Sequence, residues 1–156
     1  MTENHAANCE ISVAEEKELV TTRVISSSPS LVYEAWTKPE HLAQWWGPNG
    51  FTNTFLEFDL RPGGIWEFVM HGPDGVDYPN KNEFVEIGPE RIVLRYLYDP
   101  HFQLTATFEN LGGTTRLIMR QLFEDEAVFN AIKEIASLHT KENLDRLEAH
   151  LQKMSI

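Results

Sequence analysis

From Asp125 to Met154 apolar residues recur at helical spacing: Val128, Ile132 and Ile135, then Leu144, Leu147, Leu151 and Met154. A helix over that span is roughly 45 Å long at 1.5 Å per residue. Its apolar stripe has to be covered by something of similar length. The other helical segments are too short, so the cover is a sheet. Asp125 suits the N-cap of this helix, and Glu142 and Arg146 stand four apart in the favourable order.

The sheet is legible between Phe51 and Phe123. Short β-prone runs alternate there with turn clusters: Arg61-Pro62-Gly63-Gly64, Gly72-Pro73-Asp74-Gly75, Gly88-Pro89-Glu90, Asp99-Pro100 and Gly112-Gly113. Such short separators join antiparallel hairpins rather than crossover units. Six strands fit this region, and Leu19–Ser26, rich in Val, Thr and Ile, makes a seventh. Two-residue alternation assigns one inner face to Trp66, Phe68 and Met70; to Ile92, Leu94, Tyr96 and Tyr98; to Phe102, Leu104, Ala106 and Phe108; and to Thr115, Leu117, Met119 and Gln121. The run from Thr54 to Arg61 is ambiguous in this respect. Between the first strand and the rest, Ser28-Pro29 opens one short helix, and Pro39 to Trp46 forms a second that ends at Gly47-Pro48-Asn49-Gly50. Residues 1–17 read as a flexible acidic tail with a short helix, and residues 18–154 as a single domain. The expected class is α+β: a curved antiparallel sheet of six to seven strands around a long C-terminal helix.

With 13 Lys+Arg against 24 Asp+Glu, the net charge of −11 argues against non-specific binding to nucleic acid or to anionic membranes. The single cysteine, Cys9, allows no intramolecular disulfide and no cysteine zinc site, and no basic neighbour activates it. The N-terminus has no signal-peptide pattern, and no apolar run is long enough for a membrane span, so the expectation is a cytoplasmic protein without membrane insertion. Six histidines, from His5 to His150, show no metal-ligand spacing; His139 and His150 share a helix face but lie about 16 Å apart. The two Gly-Gly pairs open no helix and do not form a phosphate loop. No nucleophile elbow is present. No cofactor and no metal is expected.

Several segments carry a resemblance: Val32-Tyr33-Glu34-Ala35-Trp36-Thr37, Pro39 to Trp46 with Gly47-Pro48, and Asp59-Leu60-Arg61-Pro62-Gly63-Gly64-Ile65-Trp66. To these are added Phe84-Val85-Glu86-Ile87, Pro89-Glu90-Arg91-Ile92-Val93 and Leu144-Asp145-Arg146-Leu147. Over roughly residues 18–153 the chain resembles the START/SRPBCC superfamily, whose helix-grip fold is shared with the birch-pollen allergen. Within it, the chain is similar to bacterial proteins related to the C-terminal domain of the heat-shock-ATPase activator. His139-Thr140 depart from the Gly-Trp that many relatives carry. The resemblance implies a pocket between sheet and helix for an apolar or amphipathic ligand.

The residues expected around that ligand are Trp45, Trp46, Trp66, Phe68, Met70, Glu83, Tyr96, Tyr98, Phe108, Met119, Ile132 and Ala136, with entry near Trp45 and Trp46. Tyr96, Tyr98 and Glu83 would orient it. Glu57 and Glu83 are candidate acids or bases for a second reading, a cyclase- or dehydratase-like enzyme. Asp59 reads instead as a partner of Arg61. A third reading is an interaction module that stimulates a chaperone ATPase. A homodimer would cover exposed edge strands.

Overall fold

The computed structural model describes residues 9–14 and 17–155. The expectations for His5 and for the Cys9 side chain lie outside the described residues. Each polar break seen in the sequence ends an element. Ser28 accepts a bond from the Leu31 amide and starts α1 (Pro29–Thr37). Lys38, extended before Pro39, separates it from α2 (Pro39–Trp45). Asp125 accepts from the Ala127 and Val128 amides and starts α3 (Glu126–Met154).

The strands are β1 (Cys9–Ala14), β2 (Glu18–Ile25), β3 (Thr52–Phe58), β4 (Ile65–His71), β5 (Asp77–Gly88), β6 (Arg91–Tyr96), β7 (Phe102–Asn110) and β8 (Thr115–Phe123). They form one sheet in the order β1-β2-β8-β7-β6-β5-β4-β3, with every pair antiparallel. β1 corrects the expectation of a tail with a short helix, and raises the strand number from seven to eight. It covers what would otherwise be the free edge of β2, with Ser12 opposite Val20. The Ile-Ser-Val alternation in that segment is too short to stand out from its acidic surroundings. Bulges at Phe55/Glu57 and Phe84/Glu86 bend the β3 and β5 side of the sheet.

The turn before β4 depends on Gly64. A Cβ there would run into the Asp59 carbonyl, and the neighbouring Gly63 amide donates to the Phe84 carbonyl at 2.7 Å. This ties the β3–β4 turn to β5. No helix among the described residues is long and apolar enough to cross a membrane.

The main core packs α1, α2 and the second half of α3 against the sheet. Val32, Trp36, Leu42, Trp45, Leu144, Leu147 and Leu151 meet Trp66, Phe68, Phe84, Leu94 and Leu117 there. A second, smaller core joins Leu19, Phe123 and Phe129 under the first half of α3. Each fully buried large side chain of these cores contributes about 1.5–3 kcal/mol.

Candidate functional site

Directly paired residues share a face, so the register identifies which side chains α3 covers. The face assigned by alternation on β4, β6, β7 and β8 is one face: Ile92, Leu94 and Tyr96 pair with Ala106, Leu104 and Phe102, and these pair with Met119, Gln121 and Phe123. α3 is fastened to it by charge. Arg23, buried on β2, donates to Asp145 at 2.7 Å and Glu148 at 3.0 Å. Burial alone would raise the Asp145 carboxyl, but the hydrogen bonds and charges of Lys141 and Arg23 outweigh it and hold the pKa below the ordinary carboxylate value. The next residue after Asp145, Arg146, donates to the carbonyls of Gln44, Trp46, Gly47, Pro48 and Phe51 at 2.9–3.1 Å. Its planar fork has the donors to gather these oxygens at the end of α2. The buried Asn143 carboxamide accepts from the Gly47 amide at 3.1 Å, where a φ of +101° suits glycine.

The end of the sheet that meets α1 and α2 is filled with aromatic rings. Trp36 touches Trp45 and Trp46 edge-on at 5.2 and 5.6 Å, Trp46 reaches Trp66 at 5.1 Å, and Trp66 stacks on Phe68 at 4.5 Å. The Trp45 indole donates to the Ala35 carbonyl at 3.0 Å. Of the residues expected around a ligand, Trp45, Trp66, Phe68, Phe108 and Met119 are buried in this core, and Trp46 and Met70 are half-buried against it. Trp45 is 0% exposed, so it forms no mouth. The reason is local: consecutive tryptophans at the end of a seven-residue helix cannot both reach solvent while α2 packs on α1.

The described residues form surface clefts away from this end. A cleft of about 480 Å³ separates the β6–β7 connection from the start of α3, lined by Pro100, His101, Phe123, Val128 and Ile132 and flanked by Asp99, Glu124 and Asp125. Grooves of about 500 and 510 Å³ lie beside Tyr33 and Arg91. Ile132 and Asn143, which mark the cleft and the packed end, are eleven residues apart on α3, about 16 Å. His101 holds the connection in place: its ring nitrogens meet the Leu97 carbonyl at 3.1 Å and Asp99 at 3.2 Å, and its carbonyl accepts from the Glu124 amide. Ile132 and Ala136 are half-buried against the Leu19–Phe123–Phe129 core.

From the cleft a single row of paired residues crosses the inner face: Phe123, Phe102, Tyr96, Asn82, Trp66 and Phe58. Tyr96 stacks on Phe102 at 4.9 Å and meets Tyr98 at 6.1 Å. Burial, then the neighbouring Tyr98, raises the Tyr96 hydroxyl pKa, which keeps it a donor. Tyr98 itself is 38% exposed. Asn82 is the one amide in this row. It is 5% exposed. The adjacent Trp66 indole nitrogen is buried without a partner among the described residues.

The carboxylates proposed for acid–base work are not on this face. Glu83 pairs with Ile65 and Arg95 across the outer face and meets Arg95 at 3.2 Å. Glu57 is exposed, and Asp59 binds Arg61 at 2.8 Å. Glu83 therefore does not orient an inner ligand. Alternation does not reveal Asn82, because β5 is polar on both faces around it and the bulge at Phe84/Glu86 shifts the parity beyond it. The signal that finds it is its pairing with Tyr96 and Trp66. Sequence spacing also misses His41 and His150, whose rings meet at 3.0 Å between α2 and α3.

A comparison with curated protein sequences yields no match. Solved structures are similar over most of the chain. A crystal structure from Nitrosomonas europaea has a TM-score of 0.84 at 22% identity, covering 92% of this chain and 99% of that one. A crystal structure from Chromobacterium violaceum reaches 0.78 at 27% identity, covering 86% and 96%. The crystal structure of an AHSA1 protein from Silicibacter pomeroyi reaches 0.71 at 20% identity, covering 88% and 99%. The likeness establishes the helix-grip fold, a fold that commonly binds hydrophobic ligands. A family model described as activator of Hsp90 ATPase homolog 1-like protein matches residues 26–152, and the chain belongs to that family.

Proposed function

We propose that this protein binds a small, mainly apolar ligand between the inner face of the sheet and the first half of α3. The observation that carries the reading is the cleft at the start of α3. Phe123 in its lining pairs with Phe102, which in turn pairs with Tyr96 on the inner face. A ligand entering there meets stacked aromatic faces without crossing the tryptophan-filled end. Burial of its apolar surface drives affinity at about 25 cal/mol per Å² before ordering costs.

Titration with the neutral fluorophore N-phenyl-1-naphthylamine tests this. Saturable, stoichiometric binding to the parent chain is expected, and Ile132→Arg should weaken it at least tenfold by placing a charge on the cleft wall. Equal binding by the parent and the Ile132→Arg chain contradicts the proposed location.

A further inference from the structure

We propose that Thr54, on the outer face of the sheet, is an acyl-accepting nucleophile activated by His71 and Asp77. Its acyl group comes from a small activated ester or thioester. The Thr54 Oγ lies 2.7 Å from His71 Nε2, and His71 Nδ1 lies 2.7 Å from an Asp77 carboxylate oxygen. A hydroxyl within hydrogen-bond reach of a base, with a third group orienting that base, is the arrangement that activates a nucleophile. The site is on the face opposite the proposed ligand and does not depend on that reading.

The strand register builds the array. The β4–β5 turn closes with the Gly72 amide on the Val76 carbonyl at 2.9 Å, and Asp77 stands directly opposite His71. On the other side His71 pairs with Thr52, and Thr54 pairs with Val69. Thr54 is therefore a diagonal neighbour of His71, a separation that a long or aromatic side chain spans. A carboxylate only accepts hydrogen bonds, so Asp77 fixes the proton of the neutral imidazole on Nδ1. Nε2 is then the acceptor, and the Thr54 hydroxyl donates to it. That polarity readies the hydroxyl to lose its proton. β3 is the last strand of the sheet and Thr54 is exposed, so a substrate reaches the hydroxyl from solvent.

In the transfer, Thr54 Oγ bonds the acyl carbon while the bond from that carbon to the leaving oxygen or sulfur breaks. The hydroxyl proton passes to His71 Nε2, and from there to the leaving group or to water. Asp77 is a positioning residue that holds the ring and its tautomer. It is 65% exposed, which weakens that hold. The acceleration is accordingly about tenfold, below the roughly 10²–10⁴-fold typical of a positioned general base.

The test treats the full chain with p-nitrophenyl acetate at neutral pH, quenches in acid and places the acetyl groups by peptide fragmentation. Released nitrophenolate counts each transfer. Thr54 should be acetylated about tenfold faster than Thr52, which shares its strand and face. His71→Gln should abolish this advantage, and Thr54→Ser should keep it at the same position. Asp77→Asn should lose most of it and Asp77→Glu should keep most of it, because the carboxylate sets the tautomer. Acetylation of Thr54 no faster than that of Thr52 overturns the proposal without any variant. An advantage that survives in His71→Gln, or is undiminished in Asp77→Asn, overturns it as well. Nitrophenolate released in excess of the acetyl groups recovered marks hydrolysis of the acyl threonine and should fall in Thr54→Val. An excess unchanged in Thr54→Val assigns the chemistry to a histidine acting alone and overturns the proposal.

Discussion

Replacing Arg146 with methionine removes the guanidinium from five carbonyls while keeping an unbranched apolar stem of similar reach. The bond to Gln44 is exposed and counts for little; the four to Trp46, Gly47, Pro48 and Phe51 are partly buried. At about 1 kcal/mol net each they amount to about 4 kcal/mol, and rehydration of the freed carbonyls reduces the loss to about 2–3 kcal/mol. Lysine has three donors on one tetrahedral nitrogen, so it restores at most part of the set. Arg146→Lys should lose about 1–2 kcal/mol. For a domain of this size each kcal/mol moves the midpoint by about 2–4 °C, so the methionine variant should melt about 5–10 °C below the parent. Urea unfolding followed by tryptophan fluorescence measures the difference directly. The slope with denaturant should stay unchanged, since the same surface unfolds. A methionine variant within about 0.5 kcal/mol of the parent would refute the reasoning, as that is the range of an unremarkable surface substitution. Equal losses for Lys and Met would also count against it, because they would make the fork geometry irrelevant.

Two further predictions concern the frame around the site. Burial first, then the charges of His41 and Lys153, lowers the His150 pKa below the ordinary histidine value. The unfolded chain therefore binds the proton first as pH falls below about 6.5, and folded stability drops from there until the folded histidine is protonated too, then levels off. Melting curves from pH 8 to pH 5 should show a steeper loss for the parent than for His150→Gln, and equal slopes would remove the histidine pair as the cause. Gly64→Ala should destabilise the chain by about 1–3 kcal/mol, because its Cβ meets the Asp59 carbonyl. A chemical denaturation midpoint unchanged by this substitution would show that the β3–β4 turn is free to shift.

The fold was largely legible because its strongest signals are periodic. The α3 stripe, the turn clusters and the alternation on β4, β6, β7 and β8 each follow from a fixed side-chain period, and the pairing of Leu104 with Gln121 and of Ala106 with Met119 keeps that parity. What was not legible lies where period and polarity diverge. β1 is too short and too acidic in its surroundings to announce a strand. Glu83 sits one residue from Asn82, and residues so adjacent face opposite ways; the sequence shows two polar residues with no hint of which faces α3. The sequence does not single out Arg23 and sets Arg146 only beside Glu142; the register and the α2–β3 connection place acids or carbonyls around them. Large aromatic rings suit either a pocket or a core, so the sequence alone does not tell which of the two holds Trp45 and Trp46. The packing of α1 on α2 places Trp45 wholly in the core.

The central claim is that a ligand lies on the inner face of the sheet beneath the first half of α3. Intermolecular nuclear Overhauser contacts between bound N-phenyl-1-naphthylamine and the labelled chain test it most directly. The account predicts contacts to Phe102, Tyr96 and Ile132, with none to the outer-face residues Val85 and Leu122. Contacts confined to outer-face residues, with Phe102, Tyr96 and Ile132 untouched, would contradict it.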